Sequence, residues 1–203
     1  MLHRIRIAMT DRTSDKLGGD APIECDETFV GGNVRNRHKS KRALGVAYQG
    51  GVDKVIVMGM LERGGRIRAG VIADRKLPNM RPMMAENIHP GSHIITDEFQ
   101  NYARLAKESD HLHEVIEHAT EYVRGHIHTN GVENFWALLK RGLHGTYVSV
   151  DAAHLNSYVA EQVFRFNLRK DHTDAQRFKA VLKDIVGRRL TYAELTGRLK
   201  PAA

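Results

Sequence analysis

Along this chain the apolar residues first come in short runs of strand length. From about Asn130 onward they recur at three- and four-residue steps. Ile23 to Gly31 is rich in strand formers, Ala43 to Tyr48 predicts a second short strand and Lys54 to Leu61 a third, all separated by glycine-containing turns. Arg66 to Ala73 continues or extends the third strand after the Gly64-Gly65 turn. Leu77 to Asn87, with Pro78 in its first turn, predicts a helix. His93 to Thr96 reads as a buried strand. Phe99 to Lys107 reads as a helix with Phe99, Tyr102, Leu105 and Ala106 on one side, and His113 to Ile116 as another strand. Beyond Asn130, Val132, Phe135, Trp136 and Leu139 define one core-facing helix, and Leu155, Val159, Val163 and Phe166 a second. Phe178 to Val186 is a further amphipathic segment ended by Gly187, and Thr191 to Glu194 resembles a capping box opening a last short helix.

Ahead of all these, residues 1–9 alternate apolar and basic positions at helical spacing, and DRTSDKLGGD reads as a polar linker. The expected organisation is an N-terminal helix and linker over residues 1–21, a main domain over 22–170, and a helical extension over 171–203. Three strands, then helix, strand, helix, strand, helix, is the order of the ribonuclease H-like fold. The predicted class is therefore α/β: a mixed sheet flanked by helices, with additional C-terminal helices.

The chain has 203 residues, enough to bury one sizeable core. Thirty-one Lys and Arg against 24 Asp and Glu give a formal charge of +7, which favours a polyanionic partner, nucleic acid first. No acid lies between Glu27 and Asp53, whereas Arg35, Arg37, Lys39, Lys41 and Arg42 crowd that interval. Read blandly it is a solvated hairpin tip; read functionally it is a cationic loop that grips a phosphate backbone. The single cysteine, Cys25, rules out an internal disulfide, and pairs such as His111/His113 and His126/His128 lack the spacing of a structural zinc site. The longest apolar run, Val55 to Leu61, is too short to span a membrane. The charged start lacks the apolar core of a signal peptide, so a cytoplasmic location is expected.

Three acids stand where an acid needs a reason: Asp26 inside an extended apolar segment, Asp97 at the end of a strand, and Glu133 in the first turn of a helix, with thirty-five residues between the last two. Each has a local alternative. Strand parity puts Glu24 on the same face as Asp26, so either can serve; Asp97 fits an N-cap; Asn130 with Glu133 fits a capping box. Jointly they predict a divalent-metal site for phosphodiester chemistry. Mg²⁺ prefers hard carboxylate oxygens, and two such ions can activate the attacking oxygen and stabilise the leaving one. Lys140 lies two turns beyond Glu133 on the same helical face, and Arg141 follows it; both are placed to meet phosphates. Trp136, on the apolar side with Val132 and Leu139, reads as core packing rather than a base-stacking platform.

The segments IECDETFVGG, ITDEFQNY, HTNGVENFWALLKRGLHGTY, AHLNSYVAEQVFRFNLR and GRRLTYAEL together resemble the catalytic core of bacterial insertion-sequence transposases of the ISXO-two-like group, over roughly Met1 to Leu195. That resemblance implies Asp26, Asp97 and Glu133 as the metal ligands of a DDE site, and it selects Asp26 over Glu24. It implies Mg²⁺ or Mn²⁺, two ions, and the group's reaction: cleavage at transposon ends, then attack of the freed 3′-hydroxyl on target DNA. It also implies a homo-oligomer on DNA, and a role for His128, Thr129 and Asn130 in shaping the helix start. The alternatives are a nuclease or resolvase of the same fold that does not rejoin DNA, and a non-catalytic DNA-binding remnant. MLHRIRIAMT is similar to the end of the helical DNA-binding segment that follows a zinc ribbon in that group, so the expectation is a core lacking the ribbon and most of that segment. A further departure is Val148, where the group leads one to expect a histidine nearby.

Overall fold

Five strands and seven helices are seen in the computed structural model, which describes residues 2–11, 13–31, 54–116, 128–148 and 150–196. The strands are β1 (Ile23–Val30), β2 (Val55–Glu62), β3 (Ile67–Ile72), β4 (His93–Thr96) and β5 (Leu112–Val115), and they form one sheet in the order β3-β2-β1-β4-β5. β2 runs antiparallel to both β1 and β3, while β4 pairs in parallel with both β1 and β5. This is the ribonuclease H-like mixed sheet predicted from the element order. Arg66 to Ala73 does not extend the preceding strand. The chain reverses through Gly64, which has φ +77, and β3 returns alongside β2. The expected strand at Ala43 to Tyr48 lies outside the described residues, as does the basic interval with Arg35, Arg37, Lys39, Lys41 and Arg42.

Pleating sends alternate residues of the central strands into two cores. One face carries Cys25, Met58 and Met60 toward α2 (Leu77–Asn87) and α3 (Gln100–Glu108), where Met80, Met84, Tyr102 and Leu105 complete the cluster. The other carries Val57 and Leu61 toward α4 (Asn130–Arg141) and α5 (Leu155–Asn167). There the residues predicted from the three- and four-residue steps, Val132, Phe135, Trp136, Leu139, Leu155, Val159, Val163 and Phe166, are all buried. A π-helical turn (Gly142–Thr146) and a 3-10 turn (Ala152–His154) join these two helices. Val148, between them, has φ +61, a left-handed conformation costly for a β-branched residue. α5 also serves the sheet edge: Asn167 accepts from the Ile67 N–H and donates to the Ile67 carbonyl, and Asn156 accepts from the Val71 N–H. These asparagines satisfy edge groups that would otherwise be open to pairing.

The N-terminal segment is docked on this frame. In α1 (Leu2–Ala8) the buried Arg6 pairs with Glu161 of α5 at 2.7 Å, its guanidinium 3.9 Å from the centre of the Tyr158 ring. Asp11 then meets Arg68 of β3 and Asp15 meets Arg66 just before it, and the fully buried Leu17 makes backbone hydrogen bonds with Asn87 and His89. α6 (Asp174–Ile185) opens on a capping box formed by Thr173 and Gln176, and none of its residues is buried. α7 (Tyr192–Leu195) is the short last helix.

Candidate functional site

Parallel pairing of β1 with β4 brings two acids level. Ile23 faces Ile94 and Glu24 faces Ile95; two residues further along each strand direction stand Asp26 and Asp97. One carboxylate oxygen from each of Asp26, Glu27 and Asp97 lies within 4.8 Å of the other two. The cluster sits at the carboxyl end of β4, where open α/β sheets gather ligands. Asp97 uses Oδ1 to accept the Phe99 N–H at 3.1 Å, which braces the turn before α3. It is not the N-cap of that helix, a position held by Phe99. Behind it the Thr96 hydroxyl donates to the Asp97 carbonyl and accepts from the Nε2–H of His113.

Glu133 approaches from α4. The helix begins one residue earlier than the capping-box pattern requires. Thr129 is the N-cap, Glu133 falls at the fourth helical position, and no side chain of the helix's own start caps it. Glu133 is exposed, and its Oε1 accepts from the Thr129 hydroxyl at 3.0 Å. Asp26 senses it: burial, above all, pushes the Asp26 carboxyl above its usual range, a hydrogen bond from Trp136 pulls it down, and the charges of Asp97 and Glu133 push it up. The charge of Glu133 thus reaches Asp26, but Glu133 is not among the acids whose oxygens converge within 4.8 Å, which among the described residues are Asp26, Glu27 and Asp97. Of the predicted supporting residues, Thr129 is buried, Asn130 is exposed in the first helical position, and the His128 carbonyl accepts from Arg63 at 2.9 Å. Lys140 and Arg141 are exposed at the far end of α4.

Three features escaped the sequence reading. Trp136 packs in the core as expected, but its indole N–H also donates to Asp26 Oδ2 at 2.9 Å. Gly59, opposite Asp26 on β2, makes room for that ring: a Cβ there would stand 2.7 Å from Trp136 Cη2. Glu24, the other acid on the Asp26 face, is fully engaged by Arg63 and the Val132 N–H. Glu27 is buried on the opposite face and raised to about 7 by desolvation first, against the pull of Arg75. The Arg75 guanidinium, stacked 3.7 Å from the Phe99 ring centre, lies 3.0 Å from Glu27 and 3.9 Å from Asp97. Glu27 Oε1 and the Tyr102 hydroxyl have no hydrogen-bond partner of good geometry. A glycine opposite an acid, and an arginine shortly before a proline-opened helix, were the available signals. Neither says which acid it serves.

These donors suit a hard divalent cation. The oxygens are carboxylates, they converge closely, and Asp26 is held in a setting that disfavours its own charge until a cation compensates.

The family model described as ISXO2-like transposase domain matches residues 16–167. An "uncharacterized transposase-like protein" of Haemophilus influenzae is 28% identical over 116 residues, which cover 57% of this chain and 89% of the relative. Among solved structures, a chain of the simian T-cell lymphotropic virus intasome in complex with PP2A regulatory subunit B56 gamma aligns with 12% identity and a TM-score of 0.39. That alignment covers 88% of this chain and spans 60% of the intasome chain. The HTLV-2 integrase catalytic core domain in complex with magnesium aligns with 11% identity and a TM-score of 0.42, over 82% of this chain and 99% of that one.

Proposed function

The chain belongs to the ISXO2-like transposase domain family, and on that premise we propose that it is the catalytic core of a DDE transposase, cutting DNA at transposon ends and joining the freed 3′-hydroxyl to target DNA. The observation that carries this reading is the meeting of Asp26, midway along β1, with Asp97 at the carboxyl end of the parallel neighbour β4, Glu133 being close enough to shift the Asp26 carboxyl. Asp26, Asp97 and Glu133 would hold Mg²⁺ or Mn²⁺, in a two-ion arrangement. Bound there, the ions supply Lewis acidity that activates the attacking oxygen and offsets charge on the leaving one.

The protein's own groups do the positioning. Trp136 holds one oxygen of Asp26, Thr129 holds one of Glu133, and the Phe99 N–H holds Asp97 Oδ1, while Asp97 Oδ2 lies 3.9 Å from Arg75. Arg75 holds Glu27 Oε2 from the opposite side, while Glu27 Oε1 has no hydrogen-bond partner of good geometry among the described residues and Glu27 counts with Asp26 and Asp97 among the converging acids. Lys140 and Arg141, with the basic interval from Arg35 to Arg42, would bind DNA phosphates without reading sequence. An enzyme joining two ends works as a homo-oligomer on DNA, and a bacterial one works in the cytoplasm. Among the described residues no helix is long and apolar enough to cross a membrane.

The test is strand transfer of a pre-cut, labelled transposon end into plasmid DNA with Mg²⁺ or Mn²⁺, comparing the protein with Asp97→Asn. Joined products that vanish in the variant are expected. Cleavage without joining would instead indicate a nuclease, and DNA binding with neither would indicate a non-catalytic remnant.

A further inference from the structure

An acid two residues from a metal-site aspartate, on the same face of the same strand, invites assignment as another ligand. The geometry around Glu24 gives it a different task. Its side chain is 1% exposed, and both oxygens are committed. Oε1 accepts from Arg63 Nε at 3.1 Å and Nη2 at 3.0 Å, and Oε2 accepts from the backbone N–H of Val132 at 3.0 Å. Val132 is the third residue of α4, one of the N–H groups a helix leaves without an internal partner. The helix has no cap from its own start, so the cap comes from β1, 108 residues away, as a full negative charge where the helix dipole favours one. Arg63 completes the brace, since the Nη2 that holds Glu24 also donates to the His128 carbonyl just before the helix.

Close approach is built into the sequence at this point. A Cβ on Gly131 would lie 2.7 Å from Glu24 Oε2 and 2.6 Å from a Leu61 methyl, so the first turn of α4 rests against β1 and β2 only because residue 131 is glycine. Glu133 follows immediately after Val132. Glu24 and Asp26 stand two residue steps apart on the strand, about 6.6 Å along a stiff β backbone. One short piece of strand therefore carries Asp26 at one end and the anchor for the helix of Glu133 at the other.

Resting on the proposed metal site, we infer that Glu24, clamped by Arg63, is a positioning residue: it sets the separation of Glu133 from Asp26 and so governs cation affinity without touching the cation. A small, strongly hydrated divalent ion tolerates little error in ligand placement. Loss of groups that orient ligands typically weakens metal binding about 10- to 100-fold.

The experiment is a Mn²⁺ titration of the full chain, read as the concentration dependence of the thermal-unfolding shift, with no DNA and no turnover required. Glu24→Gln keeps the shape but sets an amide N–H₂ against one of the donors. Its half-maximal Mn²⁺ concentration should rise at least about 10-fold. Val163→Ala, a core change in α5, should lower the melting temperature and leave the Mn²⁺ dependence unchanged, separating positioning from stability. Should Glu24→Gln fail to fold, Gly131→Ala probes the same contact with a better helix former, and the same direction of change is expected. Asp97→Asn distinguishes the two levels of inference. If it abolishes the Mn²⁺ response while Glu24→Gln or Gly131→Ala titrates like the parent, the brace is overturned and the metal site stands. If Asp97→Asn titrates like the parent, the site reading falls and this inference falls with it.

Discussion

The Trp136 indole shows how one side chain can belong to two descriptions. Its ring packs edge-on against Phe135, 5.2 Å between centres, and its N–H reaches Asp26. Trp136→Phe keeps most of the packing and deletes the bond to a charged acceptor, so stability should drop by about 2 kcal/mol. The Asp26 carboxyl, already raised by burial, loses a group that favours its ionised form and moves higher still. The acid limb of the pH–activity profile should therefore shift to higher pH, which a strand-transfer pH series will register; an unmoved limb would mean that Asp26 ionisation does not gate the reaction. The role of this residue was only half legible in the sequence. Its apolar spacing with Val132 and Leu139 announced burial, whereas the hydrogen bond depends on a glycine 77 residues earlier being opposite Asp26. Glu24 and Asp26 illustrate the same limit: strand parity put both on one face, and only the register of α4 against β1 shows which is consumed by a helix terminus.

At the level of elements, periodicity located the helices well because burial enforces it. The helices from Asn130 and Leu155 form where the spacing predicts, as do Leu77–Asn87, read from its opening proline, and the strand His93–Thr96, while the start signal of α4 misled by one residue. An asparagine followed three positions later by glutamate imitates a capping box, but the cap here is a distant carboxylate, a tertiary substitution that local rules cannot see. The junction of α1 with α5 depends on a second buried acid. Burial alone would raise Glu161, yet hydrogen bonds from Tyr147, Arg165 and Arg6 outweigh it and leave its carboxyl below the usual value of 4.5. A depressed folded-state value means that the ion pair stabilises fully above the ordinary glutamate range and is lost as pH falls through the lowered one. Glu161→Gln should therefore cost about 3 kcal/mol near pH 7, where Arg6 is left buried without its counter-charge. Denaturant melts across pH should show the gap between the two proteins closing below about pH 4, since only the parent has this carboxylate to protonate.

For the molecule as a whole, the polar stretch after α1 turns out to be anchored by side chains at both ends. Asp11 and Asp15 meet arginines in and just before the edge strand, and Leu17 is fully buried among Met80, Met84 and Ile88. Nothing in DRTSDKLGGD marks its one leucine as a core residue, because the periodic context that identifies buried positions is missing there. Leu17→Ala should destabilise the entire domain by about 3 kcal/mol, visible as a single shifted unfolding transition rather than local fraying. The short strand β4 presents a different problem. Ile94 and Ile95 point to opposite faces and both are fully buried, so a one-residue slip against β1 would exchange one isoleucine for another. It would also bring Glu98 level with Asp26 and turn Asp97 away through the pleat. Hydrophobicity is nearly blind to that error. Polar pins tie β4 to its other neighbour, β5: with His93 paired to Glu114 at 2.7 Å and His113 bonded to Thr96 at 2.8 Å, β4 slips against β1 only by breaking these bonds or by dragging β5 along. Alignment of the acids thus leans in part on two histidines that take no part in holding them, because they make a slip of one short strand into a slip of two.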